Sequence, residues 1–220
     1  MTIILQGSKM EIVGAFTRGF LIGLSIAAAV GPISLLCIRK TLTEGRLAGF
    51  VSGMGAATAD GLYGCVAAFG LTWVSDTLVD QRLWLHLLGG LFLVYLGART
   101  FSKKPAETAD STAPPDAAGL AKSYASTFAL TVANPMTILS FAAIFAGLGL
   151  GGSGKGYASA SLLVAGVFSG SALWWLLLSV GVGIARSRLS HVALRWINVA
   201  SGALILGFGA VSLVGLWGEI

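Results

Sequence analysis

Six long apolar stretches constrain what this chain can fold into more than any other feature: roughly Ile12–Ile38, Leu47–Val74, Leu83–Phe101, Tyr124–Leu150, Tyr157–Ile184 and Val192–Trp217. Apolar runs near 20 residues with few charges have the length of membrane spans. In lipid every backbone polar group must be satisfied inside the segment, which a helix achieves. The composition agrees, with 55% of the 220 residues hydrophobic and 10% charged, against about a quarter charged in a soluble domain. The expectation is an all-α membrane protein of six transmembrane helices, with little chain left for a soluble domain. The net charge of +5 does not point to nucleic acid, because the basic residues sit in short loops between spans. Cys37 and Cys65 both lie inside apolar stretches, so they read as small packing residues rather than a disulfide framework. Lys9 and Arg18 followed by an apolar run ending Ala27-Ala28-Ala29 have the look of a secretory signal. The run continues through Gly31-Pro32 to Ile38 and five more spans follow, so an uncleaved first span is expected.

Ser102–Ala121 holds Lys103, Lys104, Pro105, Glu107, Asp110, Pro114, Pro115 and Asp116. This polar, proline-rich stretch reads as a linker. It divides the chain into a first three-span repeat (1–101), a cytoplasmic linker (102–121) and a second three-span repeat (122–220). Ten of the 14 Lys and Arg residues fall in or beside loops 39–46, 102–122 and 186–191. Lys9, Arg18, Arg82 and Lys155 fall on the other side. That excess marks the three loops as cytoplasmic and puts both termini outside. A five-span arrangement with a cytoplasmic N-terminus is the alternative.

The two halves resemble each other. Pro32 in the first span follows Gly31, and Pro135 in the fourth follows Asn134; each preceding residue is turn-prone. Three spans per half is an odd number, so the second half runs upside down, as in the inverted-topology repeats of many secondary transporters. Proline lacks an N–H and clashes with the carbonyl four residues back. Helices one and four are therefore expected to break at Gly-Pro and Asn-Pro, freeing the carbonyls of Ala28 and Thr131. Such groups are tolerated where protein buries them or a wet cavity receives them. Matched breaks point to a substrate site near the midplane, with the half-helices from Ile33 and Met136 aiming positive N-termini at a carboxylate. The plain alternative is a pair of kinks that only shape packing.

Asp60 stands apart from the other eight acidic residues, which sit in loops, at span ends or at termini. It lies 14 residues past Arg46, which at about 1.5 Å per residue is ~20 Å into the span. A charge there costs roughly 2.5–3.5 kcal/mol on insertion scales and is a functional candidate by default. No basic residue sits deep in a span to pair with it, leaving a proton, a substrate cation, or hydroxyls and freed carbonyls as partners. The alternative is a neutral acid that fixes helix packing. Tyr63, three residues on, shares its helix face and is a further candidate for the substrate or proton site. Gly49-x-x-x-Gly53 and Gly166-x-x-x-Gly170 read as close-packing motifs, Trp174 and Trp175 as bundle packing with a cavity wall as the alternative, and His86 and His191 as interfacial residues.

Gly31-Pro32-Ile33-Ser34-Leu35-Leu36-Cys37-Ile38-Arg39-Lys40, then Gly45-Arg46 and Gly53 through Asp60, together with Asn134-Pro135-Met136-Thr137-Ile138-Leu139-Ser140-Phe141, resemble the LysE-type amino-acid exporter family. The likeness covers the core of both halves. It implies export of an amino acid from the bacterial cytoplasm through the inner membrane, driven by the proton motive force and often by a homodimer. The motif positions it carries over are Gly31, Pro32, Arg46, Asp60, Asn134 and Pro135, with Arg46 in a structural or gating role. Ala59 stands where many members have glycine.

The expectation is thus a secondary exporter of a small amino acid or similar zwitterion, not an enzyme, with no cofactor or metal. The half-helix N-termini would hold the carboxylate, and Asp60 would meet the ammonium group or carry the coupling proton. A transmembrane thiol-redox protein is the alternative from another class. It would want a reactive cysteine in each half, and both cysteines are in the first. An intramembrane hydrolase lacks a second carboxylate or a histidine near Asp60. A non-transporting scaffold or a channel completes the alternatives.

Overall fold

The computed structural model describes residues 2–29, 31–69, 82–102, 116–134, 137, 140, 141, 157–186 and 191–215, and all regular structure among them is helical. The helices are α1 (Thr2–Ala28), α2 (Pro32–Glu44), α3 (Arg46–Ala68), α4 (Arg82–Ser102), α5 (Ala117–Val132), α6 (Tyr157–Arg186) and α7 (His191–Gly215). This is an all-α chain. Tyr157–Arg186 is by itself long and apolar enough to cross a membrane, and Gly14–Ala28 with Pro32–Glu44 qualify together as a pair bent by 76°.

The bend falls at Gly31-Pro32. α1 stops at Ala28, and Pro32 opens α2 at a position where its missing N–H costs nothing. Gly31 has φ −154° and ψ −172°, an extended conformation that any residue adopts, so the break owes its shape to proline rather than to glycine's freedom. Gly45 is the opposite case: its φ of +98° turns α2 into α3 through a region that side chains rarely enter. α5 begins at Ala117, inside the stretch read as linker. Asp116 Oδ1 accepts a hydrogen bond from the Gly119 N–H at 2.8 Å, capping the first turn.

α3 runs between α5 and α6, α1 lies along α6, and α4 lies along α7. α3 can occupy the middle because it is built of small residues: Ala48, Ala57 and Ala59 are fully buried. The α1–α6 contact depends on close backbone approach. A Cβ on Gly170 would collide with the Phe20 carbonyl, and one on Gly23 with the Val167 carbonyl, which is how small residues let membrane helices associate.

α6 is inside-out by the standards of a soluble helix. It buries Ser171 and Ser179 and exposes Leu176, Leu177, Val180 and Ile184. In water that distribution would leave a large apolar patch; in lipid it turns the serines into the bundle and gives the leucines to hydrocarbon.

Candidate functional site

Where α2 begins, α5 ends and α3 passes between its neighbours, the bundle holds a partly open cavity of about 420 Å³. One wall is polar. It is formed by Gly31, Pro32 and Ser34 of the break, Asp60 of α3, and Thr131 and Asn134 at the end of α5, with Thr137 and Ser140 beyond. The rest of the lining is apolar and includes Leu93 of α4 and Phe208 and Val211 of α7, the last two also exposed on the outside of the bundle. That size and that mix of apolar surface with a few convergent polar groups are typical of small-molecule sites.

Asp60 is 3% exposed. Ser171 of α6 donates a hydrogen bond to its Oδ2 at 2.7 Å, and Trp175 Nε1 donates to Ser171 Oγ at 3.1 Å. Ser171 and Trp175 are one helical turn apart, so one face of α6 orients the carboxyl. No Lys or Arg among the described residues lines the cavity.

The start of α2 offers the complementary charge. Its N-cap makes no side-chain hydrogen bond, and the first bond along it runs from the Leu35 N–H to the Gly31 carbonyl at 3.1 Å. The N–H groups of Ile33 and Ser34 precede that bond and have no partner within the helix. Both residues line the cavity, so the positive end of α2 opens into it.

The loose ends of the breaks are tied differently from the sequence expectation. Ser34 Oγ donates to the Ala29 carbonyl at 3.1 Å. The Thr131 carbonyl, expected to be free, accepts from the Asn134 N–H at 3.2 Å, because the chain tightens into a turn before the proline. The carbonyl that takes a side-chain donor is that of Val132, bonded by Tyr63 Oη at 2.6 Å. The Tyr63 ring stacks on Phe141 with centroids 5.4 Å apart.

Of the residues singled out from sequence, Gly31, Pro32, Asp60 and Asn134 come together on the cavity. Tyr63 is not among its lining residues and instead holds the end of α5. Arg46 is the first residue of α3 and lies over Gly183 of α6, apart from the cavity. Pro135 lies outside the described residues. Sequence reasoning missed Ser171 as the partner of Asp60 and favoured packing over a cavity wall for Trp175. Trp175 is 3% exposed, and it also lines the cavity. Their one signal was a serine and a tryptophan four residues apart in an apolar span, which leaves their facing undetermined.

The pattern of the LysE type translocator family matches residues 24–215. The chain is similar to the "Putative amino acid efflux protein YcgF" of Bacillus subtilis, at 30% identity over 199 residues, covering 88% of this chain and 92% of the relative. It is also similar to the "Uncharacterized membrane protein YahN" of Escherichia coli, at 23% identity over 181 residues and 80% of each chain. No solved structure matches it. With the family pattern spanning both sides of the cavity and most of the chain, the protein is a membrane transport protein that belongs to the LysE type translocator family.

Proposed function

We propose that the protein is a secondary transporter that exports an amino acid, or a similar small zwitterion, from the cytoplasm across the inner membrane, coupled to the proton motive force. The observation that carries this reading is that the uncapped N-terminus of α2 and the buried Asp60 carboxyl line the same cavity of about 420 Å³. An α-amino acid carries an ammonium and a carboxylate on the same carbon, and such a pair of groups suits it. Its carboxylate meets the Ile33 and Ser34 N–H groups, and its ammonium meets Asp60, which carries the coupling proton when the site is empty. The apolar wall of α4 and α7 receives the side chain. Gly31, Pro32, Asn134 and Pro135 shape the site, Tyr63 steadies the end of α5, and Arg46 fastens α3 to α6 on the cytoplasmic side. The efflux protein named among its relatives supports the substrate class.

The reading includes six spans in two inverted repeats joined by a cytoplasmic linker, and a homodimer in the membrane. Helix pairing supports the repeat: α1 lies against α6 as α5 lies against α3, while the α3–α6 and α4–α7 pairs each map onto themselves when the halves are exchanged. The test is a competition efflux screen over the amino acids in vesicles with an imposed pH gradient. Export of at least one amino acid that collapses with the gradient supports the proposal. No export of any, or export indifferent to the gradient, rejects the substrate class or the coupling respectively.

A further inference from the structure

Below the cavity, toward Arg39, Lys40 and Arg46, the joint between α5 and the α2–α3 pair is polar. Ser123, Thr127 and Thr131 follow one another at four-residue spacing on one face of α5, a column about 12 Å long at 1.5 Å rise per residue. All three are buried, as is Ser52 of α3. The Ser52 and Thr127 hydroxyls share a hydrogen bond of 2.5 Å. Beside them Tyr124 Oη donates to Thr58 Oγ1 at 2.9 Å. At the outer end Lys40 of α2 donates to Ser123 Oγ at 2.5 Å and pairs with Glu44 at 3.7 Å. The Lys40 side chain is only 14% exposed. At the inner end Thr131 is part of the cavity wall.

A joint meant to stay shut in a membrane protein gains most from close-packed small and apolar residues along its length, as α1 and α6 have at Gly19, Gly23, Gly166 and Gly170; among the described residues of α3 and α5 that kind of contact is confined to Gly55 against the Tyr124 carbonyl. Hydroxyl-to-hydroxyl contacts are different: when the helices part, water replaces each bond with little net loss. α2 and α3 are joined through the single residue Gly45 and packed to each other at Thr41 and Gly49, so the two would move together, and α5 would move against them by parting at Gly55 and at the hydroxyls. We infer that this hydroxyl seam, fastened by the Lys40–Ser123 contact, is the cytoplasmic gate of the transport path, closed in this structure, and that it opens by separation of α5 from α2 and α3. The inference rests on the transporter reading.

Crosslinking tests it. In a Cys37→Ala/Cys65→Ala background, the double variant Ser52→Cys/Thr127→Cys puts two thiols where two hydroxyls now touch. Oxidation is expected to stop efflux and dithiothreitol to restore it, while each single variant is indifferent to the oxidant. Equal efflux by the oxidised and reduced double variant overturns the inference. A second readout needs no transported substrate. Cys37 is fully buried and sits three residues from Lys40 on α2. In a Cys65→Ala background, its alkylation by a membrane-impermeant maleimide in inside-out vesicles is expected to rise about tenfold in Lys40→Met and in Ser123→Ala, the size of a lost charge-assisted hydrogen bond. Rates equal to those of the parent, or a rise seen only from the external face, overturn it. If alkylation behaves as expected and the vesicles export no amino acid, the opening of the seam stands and the amino-acid substrate class falls.

Discussion

At the scale of the residue, Asp60 is the group on which transport is expected to turn. Asp60→Asn keeps the shape and the Ser171 contact but removes the negative charge and the exchangeable proton. Efflux from vesicles should fall about tenfold or more, given the price of placing that acid at membrane depth at all; wild-type rates in the variant would remove it from the mechanism. Ser171→Ala should raise the substrate concentration for half-maximal efflux by about tenfold, the value of one hydrogen bond to a charged group, with Ser171→Thr restoring it. Tyr63→Phe separates support from substrate contact. It removes the donor to the Val132 carbonyl, so thermal unfolding in detergent should show a loss of about 1–3 kcal/mol, while half-maximal substrate concentration holds. A change in apparent affinity with no change in stability would reassign Tyr63 to the site itself.

At the scale of the element, two glycines make opposite predictions. Gly170 faces the backbone of α1, and a side chain there meets the Phe20 carbonyl. Gly170→Val should therefore separate α1 from α6 and sharply reduce the folded protein recovered by size-exclusion chromatography. A Cβ at Gly31 meets nothing within 4 Å, and the backbone there is extended. Gly31→Ala should leave the recovered yield unchanged, while Gly31→Leu, filling space beside the α2 N-terminus, should cut efflux without unfolding the protein. Equal yields for Gly170→Val and the parent would mean that α1 and α6 do not pack as described. The breaks themselves follow the same logic of local cause. Pro32 sets where α2 starts, and what then makes each break tolerable at depth is a side-chain hydroxyl, Ser34 for α1 and Tyr63 for α5.

At the scale of the whole molecule, orientation is the open quantity with the clearest consequence. Asp116 and Tyr157 are both exposed and stand on opposite sides in the six-span arrangement. In a background without Cys37 and Cys65, Asp116→Cys should react with an impermeant thiol reagent only in inside-out vesicles and Tyr157→Cys only in intact cells. Both reacting from the same side would reject the topology, and with it the direction of export. The inside-out character of α6 bears on the same scale: a helix that hides serines and presents leucines is stable when the surrounding medium is hydrocarbon.

How much of this was legible beforehand differs by kind of information. Hydropathy along the chain determined that it is helical and lies in a membrane, because that choice depends on run length and charge, which are local. Proline chemistry determined that the first long segment breaks at Gly31-Pro32, since the missing N–H and the ring clash are properties of one residue. The depth of Asp60 in its span marked it as an outlier for the same reason. What the linear order left undecided is rotation about each helix axis. Whether Trp175 faces lipid, a neighbour or a cavity, which hydroxyl reaches Asp60, and whether Tyr63 touches substrate or a carbonyl all depend on how α3, α5 and α6 turn toward one another. That was decided by packing of small residues from distant parts of the chain, and only the tertiary structure brings those surfaces together.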